Sequence, residues 1–311
     1  MSNRLLSALV ACLVVVVAAC GGTDKQSGGT TTSPAVGAPS FPVTVTSGDE
    51  TLELEKPPQR IVSLSPSATE SLFAIGAGPQ VEAVDDQSTY PADAPRTKLS
   101  GFEPNLEAIA RYRPDLVVVG FDPGSLVDGL ERLRIPVLLQ PAPSDLEGAY
   151  GEIADLGTAT GHADEAEQLV ADMREHLDDL AASTRDEGLS VYHELGPDYF
   201  SATSKTFIGS VYELLGLENI ADGAGGGASD YPQLSGEYIL DSDPDLIVLS
   251  DTKCCAQSLE TVARRPGWKQ LNAVRSGDVV PVDDDIASRW GPRVVDFAEI
   301  VAGAVEETSG S

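Results

Sequence analysis

Two segments of the chain repeat one pattern: EAIARYRPDLVVV at residues 107–119 and EYILDSDPDLIVL at residues 237–249. Each begins with a glutamate and helical spacing, is broken by Pro-Asp, and ends in four apolar residues typical of a short buried strand. In both segments the glutamate lies eight residues before the Pro-Asp aspartate. A repeated αβ unit of this kind predicts two similar lobes, and the cleft between two lobes is a common place for a ligand.

Strand and helix patterns alternate on both sides of the repeat, which favours βα units and mostly parallel sheets. Strands are predicted at residues 60–64, 81–84, 116–119, 135–139, 189–193, 246–249 and 279–282. Helices are predicted from Pro66, with Ser65 as N-cap and 67–70 as a capping box, and at 146–160, 163–184, 208–215 and 292–307. The uninterrupted helix 163–184 is long enough to bridge two small lobes. The sequence therefore predicts an α/β fold whose two sheets are joined by one long helix.

The first twenty residues have the pattern of an export signal. Arg4 precedes an apolar run from Leu5 to Ala19, which is short for a membrane span and ends in small residues typical of a cleavage site. The ending Val-Ala-Ala-Cys resembles the bacterial lipobox, which implies that Cys20 becomes the lipid-modified first residue. A plain secretory signal is the alternative. The Gly-, Ser- and Thr-rich stretch that follows Cys20 predicts a flexible tether.

These patterns predict five parts of the chain: a lipoprotein signal peptide at 1–19, a flexible tether and first strand at 20–56, an N-terminal lobe at 57–162, a linking helix at 163–187 and a C-terminal lobe at 188–311. The protein is expected at the extracytoplasmic face of the cell membrane, attached through the lipid alone.

The chain is strongly acidic, with 49 Asp and Glu against 20 Lys and Arg and a net charge of −29. This charge argues against nucleic acid as a partner and against electrostatic binding to anionic lipid. Because the acids are scattered rather than clustered, a solvated surface explains them best.

Four cysteines are present, and two of them, Cys254 and Cys255, are adjacent in the predicted C-terminal lobe. Two thiols outside the cytoplasm tend to oxidise. Adjacent cysteines close only a strained eight-membered ring, so that bond would be readily reduced. The sequence leaves two alternatives open, a disulfide between neighbours or two free thiols.

Motifs for catalysis are missing from the sequence. It has no Gly-x-Ser-x-Gly elbow and no His-Glu-x-x-His, and no nucleophile–base pair can be named. The consecutive aspartates 283–285 would point to alternating faces of an extended chain and would not converge on a metal. We therefore expect neither an enzyme nor a metal or cofactor site, and a cell-surface hydrolase is the alternative from another functional class.

Aromatic residues are few, 17 in all, and several follow predicted strands. Ligands of open α/β sheets bind at the carboxyl ends of strands, where aromatic rings can stack on a large flat ligand. The loop aromatics are Tyr90, Phe102, Tyr199, Phe200, Tyr231 and Trp290. Packing is the alternative role for each of them.

Several motifs together resemble one protein family. They are RIVSLSPSATESLFAIGAG at residues 60–78, Tyr90-Pro91, Asn105-Leu106-Glu107, Pro114-Asp115-Leu116 and Gly291-Pro292-Arg293. They are similar to motifs of the solute-binding proteins of ABC importers for cobalamin and ferric siderophores. The resemblance covers about residues 57–308 and implies two Rossmann-like lobes that bind a small chelate in a shallow cleft. It also implies a monomer that delivers this ligand to a membrane permease.

The resemblance implies roles for particular residues. One glutamate on each lobe docks onto permease arginines in that family, and Glu107 and Glu237 match those positions. Asp285 and Arg289 match residues that bind the amide groups of cobalamin, and Tyr231 matches a large aromatic. With these, Tyr90, Tyr199, Phe200 and Trp290 form the expected ligand-binding set.

Two departures from the family pattern concern the ligand. Gln87 stands where an aromatic is expected, and the tryptophan expected near Gly101 is missing. A corrinoid is the favoured ligand, and ferric siderophore and haem remain alternatives.

Overall fold

The computed structural model describes residues 40–184, 188–224 and 229–309. The predicted signal peptide, Cys20 and most of the predicted tether lie outside these residues. In the described ranges, none of the helices has both the length and the apolar character that crossing a membrane requires.

The first lobe is built on a five-stranded parallel sheet preceded by a β-hairpin. The hairpin consists of β1 (Val43–Ser47) and β2 (Glu50–Leu54), and the sheet of β3 (Ile61–Leu64), β4 (Val81–Asp85), β5 (Arg96–Leu99), β6 (Leu116–Val119) and β7 (Val137–Leu139). The order across the sheet is β5-β4-β3-β6-β7. The helices of this lobe are α1 (Pro66–Ala74), α2 (Leu106–Ala110), α3 (Leu126–Arg132) and α4 (Leu146–Thr160). The sequence predicted one strand before the sheet, whereas the structure has two.

The second lobe repeats the plan with a four-stranded parallel sheet. The 22-residue helix α5 (Ala163–Thr184) precedes it and has the predicted bounds. The strands are β8 (Ser190–Glu194), β9 (Glu218–Asn219), β10 (Leu246–Leu249) and β11 (Val279–Pro281), in the order β11-β10-β8-β9. The helices are α6 (Phe207–Leu214), α7 (Gly236–Ser242), α8 (Thr252–Cys255), α9 (Leu259–Ala263), α10 (Asn272–Ser276), α11 (Asp284–Ser288) and α12 (Val294–Ser309). The predicted α/β fold with two mostly parallel sheets and one long helix is confirmed.

The repeated apolar strands alternate between two cores. On β6, Leu116 and Val118 pack into the large core shared by both lobes, whereas Val117 and Val119 pack into the outer core of the first lobe. On β10, Leu246 and Val248 join the same shared core, and Ile247 and Leu249 join an outer core of the second lobe. All eight side chains are buried, because helices cover both faces of a parallel sheet. One continuous apolar core therefore links the two sheets.

The repeated Pro-Asp aspartates have matching structural roles. The carboxylate of Asp115 accepts hydrogen bonds from the main-chain N–H groups of Gln59 and Arg60 at 3.0 and 2.8 Å. Asp245 accepts from the N–H and the hydroxyl of Ser190, both at 2.8 Å. In each lobe the aspartate thus fixes the chain where it enters the neighbouring strand, β3 or β8. One role of the repeated Pro-Asp pair is therefore to align neighbouring strands of each sheet.

The start of α1 differs in one respect from the sequence prediction. Ser65 is the N-cap, as predicted, and accepts from the Ala68 N–H at 3.3 Å. The predicted capping box of residues 67–70 is wrong, because the side chain of Glu70 turns inward, is 2% exposed and binds two arginines. A charged residue is rarely buried unless it is paired, so this glutamate has a tertiary role.

Candidate functional site

A cleft of about 340 Å³ lies at the carboxyl ends of the strands of the first lobe. Loops after β3, β4, β5 and β6 form one wall, and the segment from α11 to the start of α12 forms the other. The lining residues are Leu64, Ser65, Pro66, Ser67, Asp85, Gln87, Gly101, Phe102, Gly120, Phe121, Asp285, Ser288, Arg289 and Trp290. Three of the predicted ligand residues, Asp285, Arg289 and Trp290, thus meet in one cleft with residues more than 160 positions earlier in the chain.

An aromatic pair forms the first wall. The ring centroids of Phe102 and Phe121 are 5.6 Å apart, and the two side chains are 67% and 42% exposed. Phe102 follows Gly101, where an added Cβ would lie 2.8 Å from the Leu64 carbonyl oxygen, closer than such contacts allow. Only glycine lets the loop approach β3 this closely, which brings Phe102 to the cleft. Large apolar rings left exposed as a pair indicate a binding surface.

Phe121 is absent from the sequence-based set of site residues. It follows Gly120 directly after β6, just as Phe102 follows Gly101 after β5. This repeated Gly-Phe pair after two strands that are consecutive in the chain is a sequence pattern that could have identified it. The family tryptophan expected near Gly101 is missing, but these two phenylalanines form an aromatic surface at that place.

The opposite wall contains Arg289, whose guanidinium is already held by protein groups. It is 7% exposed and donates to Glu70 at 2.9 Å, to the Gln87 carbonyl at 2.8 Å and to Asp285 at 2.8 Å. These contacts occupy three of the five N–H donors of the side chain. Arg289 therefore shapes and neutralises the wall, and only its remaining donors are free for a ligand.

Glu70 binds two arginines at once. Besides Arg289, it accepts from Arg293 at 2.6 and 2.8 Å. These bonds and the negative charge of Glu70 raise the pKa of Arg293. The guanidinium of Arg293 also lies 4.4 Å from the ring centroid of Tyr90, so one face of this predicted ligand residue is covered by a cation–π contact. Tyr90 is still 47% exposed.

Asp285 connects the cleft wall to the loop after β10. One carboxylate oxygen binds Arg289, and the other accepts from the Lys253 ammonium at 2.9 Å. Lys253 also binds Asp283 at 2.5 Å. Asp284 accepts from the N–H groups of Lys253 and Cys254, both at 2.9 Å. The three aspartates thus bind α8, and they do so from the start of α11 rather than from the extended chain that the sequence predicted. The described residues contain no cluster suited to a metal ion.

The charge state of Asp284 reflects these contacts. Burial alone would raise its pKa, but the two N–H donors of Lys253 and Cys254, together with the Thr252 hydroxyl, lower the pKa overall. Asp284 is therefore a stable anion that fixes α8 to α11. The sulfur atoms of Cys254 and Cys255 are bonded to each other in this short helix.

Trp290 joins the second wall to the first lobe. Its indole N–H donates to Glu152 of α4 at 2.7 Å. Burial raises the pKa of Glu152 to about 8. The hydrogen bond from Trp290 favours the ionised form and offsets only part of this increase. Near neutral pH this carboxyl group is therefore largely protonated.

The predicted aromatics of the second lobe fall into two groups. The ring of Tyr199 stacks on Trp268 with centroids 5.5 Å apart and lies against Arg265, contacts that support a packing role. Phe200 and Tyr231 are 43% and 45% exposed, and neither lines the cleft described above. Their role in ligand binding stays a prediction.

The two repeated glutamates occupy equivalent positions. Glu107 and Glu237 are each the second residue of a short helix, α2 and α7, capped by Asn105 and Ser235 respectively. Both glutamates are exposed. Each helix buries an isoleucine in the outer core of its lobe, so that the glutamates face away from the shared core.

Comparison with known proteins identifies the family. Residues 61–286 match the family model described as periplasmic binding protein. The chain belongs to this family. The family consists of binding proteins that serve transport outside the cytoplasm rather than of enzymes, which confirms the predicted class of protein.

Relatives of this periplasmic binding protein cover most of its length. The ABC transporter substrate-binding lipoprotein YvrC of Bacillus subtilis is 30% identical over 85% of this chain and 86% of its own length. A cobalamin-binding protein of Halobacterium salinarum is 32% identical over 87% of this chain and 76% of its own.

Solved structures of the family have the same fold. The vitamin B12 binding protein BtuF of Vibrio cholerae superposes with a TM-score of 0.67 at 24% identity and covers 82% of this chain and 99% of its own. The haem-binding protein RhuT from Roseiflexus reaches a TM-score of 0.72 at 23% identity, with coverages of 81% and 99%. At these identities the fold is shared, and the ligand does not follow from it.

Proposed function

We propose that this periplasmic binding protein is lipid-anchored outside the cytoplasm and delivers a corrinoid to an ABC permease. The observation that supports this most strongly is the pairing of an exposed aromatic surface, Phe102 and Phe121, with an internally neutralised polar wall around Asp285 and Arg289. The cobalamin-binding relative from Halobacterium salinarum supports the same ligand class.

The charge of the cleft favours a neutral ligand rich in amide groups. Anionic catecholate siderophores are bound best by free arginine or lysine side chains. Here Arg289 is bound to Glu70 and Asp285, and Lys253 is bound to two aspartates. The corrin periphery carries neutral amides, which can donate to Asp285 and accept from the remaining donors of Arg289.

The composition of the lining disfavours haem. Haem-binding proteins supply an axial His, Tyr, Cys or Met to the iron. None of the described residues that line the cleft is of these four types, so a haem would need an axial ligand from outside it, such as Tyr90 or Tyr231. The fully buried His193 is enclosed by Tyr212 and Ser250, and burial lowers its pKa to about 3. A corrinoid with both axial positions filled needs no such protein ligand.

The second lobe would complete the binding surface when ligand is bound. A cleft of about 340 Å³ accommodates only part of a corrinoid, so more surface is needed. The exposed rings of Phe200 and Tyr231 are the candidates for this contact, whereas Tyr90 lines a second pocket with Glu70 and Arg293. Tyr199, packed on Trp268, would support the neighbouring Phe200 rather than contact ligand itself.

Docking to the permease is assigned to Glu107 and Glu237. Their equivalent helices, exposure and caps support a matched pair of carboxylates, one on each lobe, for arginines of the permease. A single exposed acid at a helix start is explained by the helix dipole, but a matched pair in a transport protein favours docking.

The anchor is assigned to the lipid on Cys20 after removal of residues 1–19, and the protein is expected to act as a monomer.

Fluorescence titration of the full chain in detergent tests the ligand class. The protein has two tryptophans, of which Trp290 lines the cleft and Trp268 is 1% exposed in the core. Cyanocobalamin should quench Trp290 saturably, and Phe102→Ala or Phe121→Ala should weaken binding, whereas Leu133→Ala, at an exposed residue outside the cleft, should not. Saturable binding of only a ferric hydroxamate or of haemin would replace the corrinoid with that ligand.

A further inference from the structure

The bonded pair Cys254–Cys255 has no part in the ligand or docking roles proposed above. It ends α8, directly after Lys253, and is followed by Ala256 in the left-handed region with φ of 53°. Cys254 is exposed and Cys255 half-buried, so the pair is accessible to a reductant. A bond between neighbouring residues restricts the backbone on which Lys253 is mounted.

Lys253 is the only described lysine or arginine bonded to both Asp283 and Asp285. The main chain of α8 is held at the same place, because Asp284 accepts from the N–H groups of Lys253 and Cys254 and from the Thr252 hydroxyl at 3.0 Å. The aspartates 283–285 thus hold α8 in place by accepting hydrogen bonds from both its side chains and its main chain. Lys253 is the residue directly before the cysteine pair, so the backbone that carries its ammonium group continues into that pair.

A chain of alternating charges runs from this pair to the cleft. Lys253 binds Asp285 at 2.9 Å, Asp285 binds Arg289 at 2.8 Å, and Arg289 binds Glu70 at 2.9 Å. Asp285 and Arg289 line the cleft, and Glu70 belongs to the opposite lobe. Lys253 therefore contacts the cleft wall through the second oxygen of Asp285, which also accepts a longer hydrogen bond of 3.4 Å from the Thr89 hydroxyl.

We infer that Lys253 is a positioning residue for Asp285 and that reduction of the Cys254–Cys255 disulfide loosens this contact and lowers ligand affinity. The inference rests on the proposed function, since it concerns the same cleft. In the oxidised protein both oxygens of Asp285 are held, so the cleft wall is preorganised. In the reduced protein the ring is open, Lys253 leaves Asp285 more often, and the wall must be ordered again when ligand binds.

The redox step requires a dithiol reductant. A thiolate of the reductant attacks one of the two cysteine sulfurs, which breaks the Cys254–Cys255 bond and forms a mixed disulfide. The second thiolate of the reductant then displaces the protein sulfur. In total the reductant gives two electrons and two protons, becomes a disulfide itself, and leaves Cys254 and Cys255 as thiols.

A first experiment needs no ligand. The full chain in detergent is prepared oxidised and reduced, the two states are verified by thiol labelling, and hydrogen exchange is followed in peptides covering residues 252–256 and 284–290. Exchange in both peptides should accelerate on reduction, and the double variant Cys254→Ser/Cys255→Ser should exchange like the reduced protein with or without reductant. Full labelling without reductant, or unchanged exchange in 284–290, would overturn the inference even if the protein binds no corrinoid.

The second experiment measures the Kd for cyanocobalamin, after removal of the reductant under anaerobic conditions. Reduction should weaken binding on the order of threefold to fivefold, as expected for loss of one partly exposed ion pair. Lys253→Gln should weaken binding to the same extent, and reduction of that variant should add little. The matched control Lys269→Gln should respond like the wild type. Equal effects of reduction on Lys253→Gln and wild type would show that Lys253 is not the link.

The two experiments separate the inference from the function on which it rests. If oxidised wild type does not bind cyanocobalamin, the proposed function fails, and the exchange experiment still decides whether the disulfide controls residues 284–290. If it binds and the affinity is independent of redox state, the inference alone fails.

Discussion

Arg289, at the end of α11, donates a 2.9 Å hydrogen bond to Glu70 of α1, which lies 219 residues earlier in the chain. Both side chains are nearly inaccessible, at 8% and 1% exposure. Arg293 binds the same carboxylate. This cluster fixes the segment that carries Asp285 and Trp290 against the first lobe, so the cleft exists only when the two lobes are assembled.

Replacing Glu70 by glutamine should destabilise the protein strongly, since Arg293 would lose its carboxylate partner in a buried site and Arg289 would keep only Asp285. Breaking a buried pair in this way costs about 3–5 kcal/mol. Urea unfolding measures the loss. Glu82→Gln is the matched control, because Glu82 pairs with Arg60 in the same lobe at 39% and 36% exposure and an exposed pair contributes about 0.2–1 kcal/mol. Equal losses in the two variants would contradict the structural role of Glu70.

The Trp290–Glu152 pair predicts a pH dependence of stability. Burial raises the pKa of Glu152 from 4.5 to about 8. Because the folded protein holds this proton more tightly than the unfolded chain, the contribution to stability is complete below pH 4.5 and is lost as pH rises through 8.

The variant Glu152→Gln should lack this pH-dependent contribution to stability, because its amide oxygen still accepts a hydrogen bond from Trp290 but does not titrate. Relative to this variant, the wild type should lose roughly 4 kcal/mol of unfolding free energy between pH 5 and pH 8.5. Urea unfolding of both proteins at several pH values measures the difference. Parallel curves would show that Glu152 is ionised throughout.

Most of the sheet framework follows from sequence because its strands are buried on both faces. The runs at 116–119 and 246–249 are four consecutive apolar residues, and the 22-residue helix α5 lacks Gly and Pro, so their bounds agree with the structure. Strand β5 was missed. Its residues, Arg96 to Leu99, are mostly polar because it is an edge strand, where charged residues are favoured and pairing is brief.

The cleft was only partly predictable. Asp285 and Arg289 could be assigned to it by family resemblance, and Trp290, in the same short segment, was predicted as one of the loop aromatics. Glu70 could not be assigned to the cleft from sequence, because the sequence 67–70 at the start of a helix equally fits a capping box. Only tertiary packing brings Glu70 to Arg289. Lys253 was missed for the same reason, as its partners lie some thirty residues away.

Loss of the two docking carboxylates should abolish transport without affecting ligand binding. The double variant Glu107→Ala/Glu237→Ala should bind cyanocobalamin like the wild type, because both residues are exposed and outside the cleft. Uptake of labelled cyanocobalamin in cells that depend on this protein measures delivery. The double variant Glu131→Ala/Glu213→Ala, with one exposed glutamate changed on each lobe, is the control and should transport normally. Undiminished uptake with the first variant would refute the docking assignment.

Changing the proposed lipid-bearing residue should release the protein from the membrane. In Cys20→Ser the lipid has no attachment site, and the described residues contain no helix able to cross a membrane. Fractionation of cells should therefore move the protein from the membrane to the soluble extracytoplasmic fraction. Cys12→Ser, within the signal peptide, should remain membrane-bound. Retention of Cys20→Ser at the membrane would mean that the attachment lies elsewhere.

Binding of a corrinoid in the cleft is tested most directly by calorimetric titration of the full chain with cyanocobalamin. We expect one site with a Kd below about 1 μM and at least about tenfold weaker binding in the double variant Phe102→Ala/Phe121→Ala, which loses both rings of the aromatic wall. Absence of binding by the wild type, or equal affinity of wild type and variant, would contradict it.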